Sequence, residues 1–302
     1  MNNAVVFMGS KAAGLLLCET ICELLRGRLA AILCPDDTAD ARSVLASFRS
    51  LADRHSIPLQ VIATRAETLR WLGHYDARVA FVNGWYQIIP VDGLCKFYGF
   101  HYSPLPRYRG NAPLVWQIIN GEKEIGVSFF QFSDGMDEGP LVAQAVAPLA
   151  ENENIENALN KANELMLELA RRYVTALISG EILLSFQPDV EPSYCGIRTP
   201  EDGRIFWSQA AKKVHDFIRA QSHPYPGAFT HDIEGRVVRV WSSSVDRRKI
   251  YGVPGSVIDI GQNGVSVACG DGGVILHSVS IDAAAAEVNA AELIRSIKMR
   301  FV

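Results

Sequence analysis

Short apolar runs alternate with helix-forming segments through the first third of the chain, and this alternation is the feature that most restricts the fold. The apolar runs cover residues 4–8, 29–34, 59–63, 78–83 and 97–101, and the helix-forming segments cover residues 10–25, 39–55 and 66–72. Strands joined through helices need crossover connections, which place them parallel in one sheet. We therefore predict an α/β fold with a doubly wound, mostly parallel sheet.

The last third of the chain has a different composition. A long helix is predicted over residues 155–178, and residues 185–204 contain three of the chain's prolines with little periodicity. Beyond them come short β-type runs with Gly-rich turns, a helix over residues 206–220 and a closing helix from Ala290. We predict a Rossmann-like domain over residues 1–184, a linker over residues 185–204 and a smaller β-barrel-like (OB-like) domain over residues 205–302.

Bulk properties exclude several function classes. The 302 residues are 48% hydrophobic and 21% charged with a formal net charge of −4, which is typical of a globular protein and argues against a surface built to hold nucleic-acid phosphates. The six cysteines form no Cys-x-x-Cys pair, so neither a metal site nor a disulfide framework is indicated. Gly9 and Gly14 do not make a dinucleotide-binding fingerprint. No signal peptide or membrane-spanning run is present, and we expect a cytoplasmic protein.

The chemistry of the chain is concentrated in residues 99–110, which read GFHYSPLPRYRG. His101 ends a predicted strand, and Pro104 and Pro106 hold the following loop extended. Ligands of open α/β sheets bind beyond the carboxyl ends of the strands, where this imidazole is expected to lie.

A second segment, residues 126–139, reads GVSFFQFSDGMDEG and is predicted to run from a strand into an acidic loop. Asp134, Asp137 and Glu138 lie on that loop between two glycines. A carboxylate placed beside an imidazole fixes its tautomer and stabilises its cation, which suits general acid–base catalysis.

Together the two segments resemble the formyltransferases that use 10-formyltetrahydrofolate, and most closely the branch of methionyl-tRNA and sugar N-formyltransferases. That branch carries Asn-x-His-x-Ser-Leu-Leu-Pro-x-Tyr/Trp-Arg-Gly and then Gly-Val-Thr followed by an Asp loop. The resemblance implies that His101 and Asp137 are catalytic. One position departs from the pattern, since the catalytic Asn of the family falls on Gly99.

The resemblance also implies binding residues. Those expected at the folate are Gln87, Ile88, Ile89, Ser103, Pro104, Leu105, Pro106, Asn111, Ser133, Asp134, Gly135 and Met136. Those expected at the acceptor are Arg107, Tyr108 and Arg109. Asn83 and Asn111 are candidates to replace the missing Asn.

We predict transfer of a formyl group from 10-formyltetrahydrofolate to a primary amine, with no metal. His101 takes the proton of the amine and returns one to the leaving folate nitrogen, while Asp137 orients the imidazole. We favour a nucleotide-linked amino sugar as the acceptor, over initiator methionyl-tRNA and over hydroxyornithine in siderophore assembly. Gly99 leaves open a relocated oxyanion donor, slow activity, or a catalytically silent folate- or nucleotide-binding homologue. The resemblance also allows a homodimer.

Overall fold

A computed structural model describes residues 4–87, 89, 91, 93, 95–282 and 285–302 of the chain. The chain divides into two compact units. The first comprises residues up to 110 with residues 126–147 and 161–194, and the second comprises residues 111–125, 148–160 and 195–302.

Regular elements follow the predicted alternation. The strands are β1 (Ala4–Gly9), β2 (Leu29–Pro35), β3 (Leu59–Ile62), β4 (Ala77–Asn83), β5 (Lys96–His101), β6 (Arg109–Gly110), β7 (Glu124–Gln131), β8 (Leu141–Pro148), β9 (Tyr194–Cys195), β10 (Ala228–His231), β11 (Val237–Val245), β12 (Val257–Gly261), β13 (Gly264–Ala268), β14 (Gly273–Ser280) and β15 (Val288–Asn289). The helices are α1 (Lys11–Leu25), α2 (Leu45–His55), α3 (Arg65–His74), α4 (Pro113–Ile119), α5 (Ile155–Ile178), α6 (Ala211–Arg219) and α7 (Ala290–Leu293), with a 3-10 turn at Pro200–Gly203.

The first unit is built on a seven-stranded sheet with the order β3-β2-β1-β4-β5-β7-β8. The pairs β2/β3, β1/β2, β1/β4 and β4/β5 are parallel, and β5/β7 is antiparallel. The chain moves outward from β1 to β3 and then returns to the other side of β1 at β4, so the switch point lies between β1 and β4. The predicted doubly wound, mostly parallel sheet is confirmed.

Both faces of this sheet are covered, which explains the nearly continuous apolar runs of its strands. Val6 and Met8 of β1 pack in one cluster with Leu72 of α3. On the opposite face, Phe7 stacks against Phe48 of α2 with ring centroids 6.2 Å apart. Alternate residues of one strand therefore serve two separate cores.

The second unit contains an antiparallel sheet with the order β10-β11-β14-β13-β12 and with β15 paired to β14. The end of the chain connects its two edges, because Arg300 bridges to Ser256 beside β12 and Phe301 bridges to Asp232 beside β10. Phe301 is 1% exposed and stacks on Trp207 at 5.6 Å. This arrangement agrees with the predicted barrel-like domain.

Three predicted helices were wrong in extent. The helix predicted over residues 39–55 begins only at Leu45, because the Asp40 side chain accepts from the backbone of Arg42 and holds a turn there. The helix predicted from residue 206 begins at Ala211, since Trp207 is directed into the core and donates to Thr230. The closing helix ends after four residues, and strand β10 was not predicted.

In the described part of the chain, no helix combines the length and the apolar character needed to cross a bilayer.

Candidate active site

A cavity of about 250 Å³ opens at the carboxyl ends of β4 and β5. Gly84 begins the loop after β4 with φ +70°, and a Cβ there would lie 2.6 Å from the carbonyl oxygen of Ser10. Only glycine allows the chain to turn this close to the loop after β1. The cavity is lined by Val82, Asn83, Gly84, Trp85, Gln87, Ile89, Val91, Phe100, His101, Phe130, Phe132, Ser133 and Asp137.

Part of the cavity wall is apolar, since seven of the thirteen lining residues have apolar side chains. Trp85, Ile89, Val91 and Phe132 pack against the core cluster beneath the sheet, so their rings and methyl groups are supported from behind. A flat heterocycle is bound by walls of this kind with a few polar groups to orient it. His101, Ser133 and Asp137 supply polar groups at one end.

His101 ends β5 with 9% of its surface exposed. Its Nε2 lies 2.7 Å from the carbonyl oxygen of Tyr108, which can only accept, so Nε2 carries a proton. In the neutral ring Nδ1 is then the unprotonated nitrogen. Tyr108 has φ +60°, a left-handed conformation that turns this carbonyl back toward the ring.

Asp137 comes from the loop after β7 and faces the free nitrogen of the imidazole. Its Oδ2 lies 3.5 Å from Nδ1 of His101 and accepts from the backbone N–H of Gly110 at 2.7 Å. Asp137 also has a left-handed backbone, with φ +51°. Two residues 36 positions apart in the sequence (101 and 137) thus form an imidazole–carboxylate pair in one cavity.

The loop that follows His101 is held by buried hydrogen bonds to strands β7 and β8. Ser128 Oγ donates to the carbonyl of Ser103 at 2.6 Å and accepts from the N–H of Leu105 at 3.0 Å. Gln144 donates to the carbonyl of Leu105 at 2.7 Å. The loop is not part of a regular helix or sheet ladder, so these bonds pair buried backbone groups of Ser103 and Leu105. They also make the loop rigid.

The space beside Gly99 is filled by Phe132. A Cβ on Gly99 would lie 2.5 Å from Cε1 of the Phe132 ring and 3.1 Å from the carbonyl oxygen of Val82. An asparagine side chain therefore has no room at position 99 unless Phe132 moves. Asn83, a predicted substitute donor, lines the cavity, and its Nδ2 lies 3.5 Å from Sδ of Met166.

Family comparison agrees with this geometry. The Formyl transferase family profile matches residues 10–173, and the profile described as Formyl transferase, C-terminal domain, matches residues 198–298. The chain belongs to the formyl transferase family. It is an enzyme of formyl-group transfer, and the resemblance inferred from the two sequence motifs is confirmed.

Relatives of the chain include methionyl-tRNA formyltransferases and sugar N-formyltransferases. The methionyl-tRNA formyltransferase of Trichlorobacter lovleyi is 31% identical and covers 91% of this chain and 88% of its own length. The structure of an N-formyltransferase from Helicobacter canadensis with folinic acid and dTDP-3-aminofucose has a TM-score of 0.67 at 17% identity, covering 91% of this chain and 98% of that one. The sugar 3N-formyl transferase WlaRD, with dTDP and 5-N-formyl-THF, gives 0.68 at 17% identity over 91% and 97%. These two structures share the fold of this formyltransferase.

Some of the binding residues predicted for this formyltransferase lie together with His101 and Asp137, the predicted catalytic pair. Gln87, Ile89 and Ser133 line the same cavity as His101 and Asp137. Asp134 and Met136 are exposed on the loop that carries Asp137, and Gly135 is partly buried there. Ile88 lies outside the described residues.

The other predicted residues are not among the described residues that line this cavity. Ser103, Leu105 and Pro106 are buried and Pro104 is partly buried, so the loop faces the protein interior. Arg107 is exposed over the Tyr108 ring, whereas Arg109 is paired with Glu138 at 3.1 Å. Asn111 belongs to the second unit. Their predicted contacts with folate or acceptor stay predictions.

Sequence reasoning missed three contributors to the site. Phe132 was not singled out within residues 126–139, although a bulky residue next to the strand that pairs with Gly99 is a signal that could have been read. Gln187 and Ser193 lie in the segment predicted as a linker, yet both bond to the catalytic loops. Their sequence context carries no local pattern that indicates this.

No group of three or more His, Cys, Asp or Glu side chains suited to a metal ion occurs in the part of the chain that the structure describes.

Proposed function

We propose that this formyltransferase moves a formyl group from 10-formyltetrahydrofolate to the primary amine of a nucleotide-linked amino sugar. One observation carries the proposal. His101 and Asp137 meet at 3.5 Å in a partly apolar cavity at the carboxyl ends of β4 and β5. This arrangement supports acid–base chemistry by His101 and Asp137, since open α/β sheets bind their ligands beyond the carboxyl ends of the strands.

The apolar wall supports a pterin ring as the occupant. Trp85, Ile89, Val91 and Phe132 offer flat and branched surfaces, and a volume of about 250 Å³ suits the bicyclic end of a folate with its tail outside. The Helicobacter canadensis structure and that of WlaRD carry folinic acid and 5-N-formyl-THF, respectively. In this chain Ser133 is a polar lining residue that would orient the heterocycle, whereas the Gln87 amide bonds to Thr68 and to the carbonyl of Ala63.

Proton transfer is assigned to Nδ1 of His101. The Tyr108 carbonyl keeps the proton on Nε2, so the lone pair of Nδ1 is available to take a proton from the attacking amine. The imidazolium that forms lies beside the Asp137 carboxylate, which stabilises it without itself becoming protonated. Nδ1–H then returns its proton to the folate nitrogen as the bond from that nitrogen to the formyl carbon breaks.

The developing charge on the formyl oxygen needs a donor that Gly99 does not provide. The side chains in the cavity that can donate include protonated His101, Asn83 and Trp85. Among the described residues, the Nε1 of Trp85 is buried without a hydrogen-bond partner. A well-placed donor of this kind is worth about 3 kcal/mol of transition-state stabilisation.

Charge at the carboxyl edge of the sheet favours a small acceptor over a nucleic acid. The loop after β2 carries Asp36, Asp37 and Asp40, and Lys11 at the start of α1 pairs with the latter two. Burial opposes the charge of Lys11, but its hydrogen bonds to these carboxylates outweigh burial and raise its pKa. A surface that binds tRNA needs cations available for phosphates, and this edge presents carboxylates.

Methionyl-tRNA is the second candidate acceptor. It is favoured by the 31% identity with the Trichlorobacter lovleyi enzyme across 91% of the chain. That identity extends over both family profiles. The two acceptors differ in charge, so the dependence of activity on salt concentration distinguishes them.

The test is a formyl-transfer assay with 10-formyltetrahydrofolate and either dTDP-3-aminofucose or methionyl-tRNA, at about 50 and about 200 mM salt. We expect turnover of the sugar nucleotide with little salt dependence, whereas activity on tRNA would fall at least about tenfold over this range. His101→Ala and Asp137→Asn should each lose at least about 100-fold in kcat, and His55→Ala, on the exposed end of α2, should not. Unchanged turnover in either cavity variant would refute the assignment of the pair. Folate binding without turnover of any amine would indicate a silent homologue.

A further inference from the structure

The segment that follows α5 bonds directly to the loop that carries Asp137. Gln187 Nε2 donates to the carbonyl of Asp137 at 2.6 Å and to the carbonyl of Gly139 at 2.9 Å. Its Oε1 accepts from Arg109 Nη2 at 2.7 Å. One amide side chain therefore joins the acidic loop to the strand that follows the His101 loop.

Ser193, six residues further on, bonds to the other half of the site. Its Oγ accepts from the N–H of Tyr108 at 2.8 Å, and its carbonyl accepts from the N–H of Arg109 at 2.8 Å. Its own N–H donates to the carbonyl of Pro106 at 3.3 Å. The serine thus holds the peptide on each side of Tyr108, whose carbonyl receives Nε2–H of His101.

Both anchored residues have a backbone that is unfavourable without support. Tyr108 has φ +60° and Asp137 has φ +51°, and a left-handed conformation is unfavourable for a non-glycine residue. Such conformations persist where surrounding bonds determine them. Gln187 and Ser193 supply bonds at these two residues.

Arg109 completes the connection. Its Nη1 pairs with Glu138 at 3.1 Å and also donates to the Tyr194 hydroxyl at 3.1 Å. The guanidinium therefore lies between the residue after Asp137 and the segment after α5. An arginine in this position is committed to structure, which limits its availability to a bound pyrophosphate.

We propose that Gln187 and Ser193 are positioning residues: Gln187 holds the Asp137 carboxylate against His101, and Ser193 holds the Tyr108 carbonyl that sets the imidazole tautomer. This proposal rests on the proposed function, because it assigns the bonds of Gln187 and Ser193 a role in the same proton transfer. If the segment served only as a connection, the side chains of Gln187 and Ser193 would be expected to bond to water. Neighbouring Phe186 and Val190 are 93% and 55% exposed, so this segment has few apolar contacts and depends on these polar ones.

Matched variants separate the roles of the two ends of the Gln187 amide. Gln187→Glu keeps an acceptor for Arg109 but turns a carboxylate toward two carbonyls. Gln187→Met keeps the length of the side chain and removes all three bonds. Ser193→Ala removes the hydroxyl that accepts from the N–H of Tyr108, and it tests whether Ser193 sets the tautomer of His101. Glu191→Gln and Ser185→Ala, both exposed on the same segment, are the controls.

The first measurement does not depend on activity. Hydrogen exchange followed by mass spectrometry should show faster exchange in peptides covering residues 133–140 for Gln187→Met and Gln187→Glu, with no change in the controls. The nitrogen-15 shifts of the His101 ring should report a single tautomer in the wild type and a mixture in Ser193→Ala. Unchanged exchange in residues 133–140, or an unchanged tautomer, overturns the corresponding half of the proposal.

The second measurement compares the effect of each variant on kcat with its effect on KM. A loosened catalytic pair should lower kcat by about 10- to 100-fold while the KM for 10-formyltetrahydrofolate stays within about twofold. A rise in KM with kcat unchanged would mean that Gln187 shapes the binding cavity and would refute positioning. If the wild type transfers no formyl group, the proposed function fails, and the exchange and ring-shift data still decide the role of this segment.

Discussion

Replacing Gly99 by alanine should destabilise the protein through a single steric conflict with Phe132. Gly99 lies in β5, and its φ is not in the left-handed region, so its backbone accepts an L side chain. The added Cβ would lie 2.5 Å from Cε1 and 2.8 Å from Cζ of the Phe132 ring. Carbon atoms pack at roughly 3.5–4.0 Å, so the ring must move by about 1 Å.

The expected cost follows from that overlap. Overpacking by one methyl group typically costs about 1–3 kcal/mol, and the nearby carbonyl of Val82, 3.1 Å from the new Cβ, limits relaxation of the backbone. Phe132→Leu alone should cost about 1 kcal/mol, since the ring is only partly buried. The two single costs should not add. The loss of stability in the double variant should be smaller than their sum by at least about 1 kcal/mol, because leucine makes room for the methyl group.

Urea unfolding followed by tryptophan fluorescence measures all four proteins of this cycle. Gly73→Ala is the control, because Gly73 lies within α3 and a Cβ there meets nothing within 4 Å. That change should be neutral or stabilise the protein by up to about 1 kcal/mol. A Gly99→Ala protein as stable as the wild type, or strictly additive costs in the double variant, would show that Phe132 does not occupy this space.

Three further outcomes are expected. Asp216 is 1% exposed and accepts from Arg219 Nε at 2.8 Å, so Asp216→Asn should lower the free energy of unfolding by about 3 kcal/mol in urea titrations; a loss below about 1 kcal/mol would contradict a buried pair. Burial lowers the pKa of His215 from 6.5, so the unfolded chain binds this proton more readily and stability should fall as the pH drops below about 6.5. Urea midpoints at about pH 8 and about pH 5.5 should therefore differ less for His215→Gln than for the wild type or for His55→Gln. Burial raises the pKa of the Cys34 thiol to about 12, so iodoacetamide at about pH 8 should label it only after unfolding, and rapid labelling of the native protein would refute its burial.

Periodicity and punctuation in the sequence were sufficient for the sheet, whereas His101 and Asp137 were predicted as a catalytic pair from the resemblance of the two motifs. Apolar runs separated by helix-forming segments predict parallel strands, because a crossover helix is the connection that such strands need. His101 ends β5, but Asp137 lies on the loop after β7, which runs antiparallel to β5, so the order of the strands alone does not bring the two side chains together. Local patterns indicate where the strands and helices lie, because each strand or helix is specified by its own neighbours in sequence.

The tertiary structure decided how the pair is arranged and supported. Which nitrogen of His101 faces Asp137 depends on the Tyr108 carbonyl, and the loop after His101 is buried through Ser128. Gln187 bonds to Asp137 from 50 residues away, and nothing in its own segment indicates a partner. Hydrogen bonds between distant segments depend on how complete strands and loops pack, so their partners become visible only when the chain is folded.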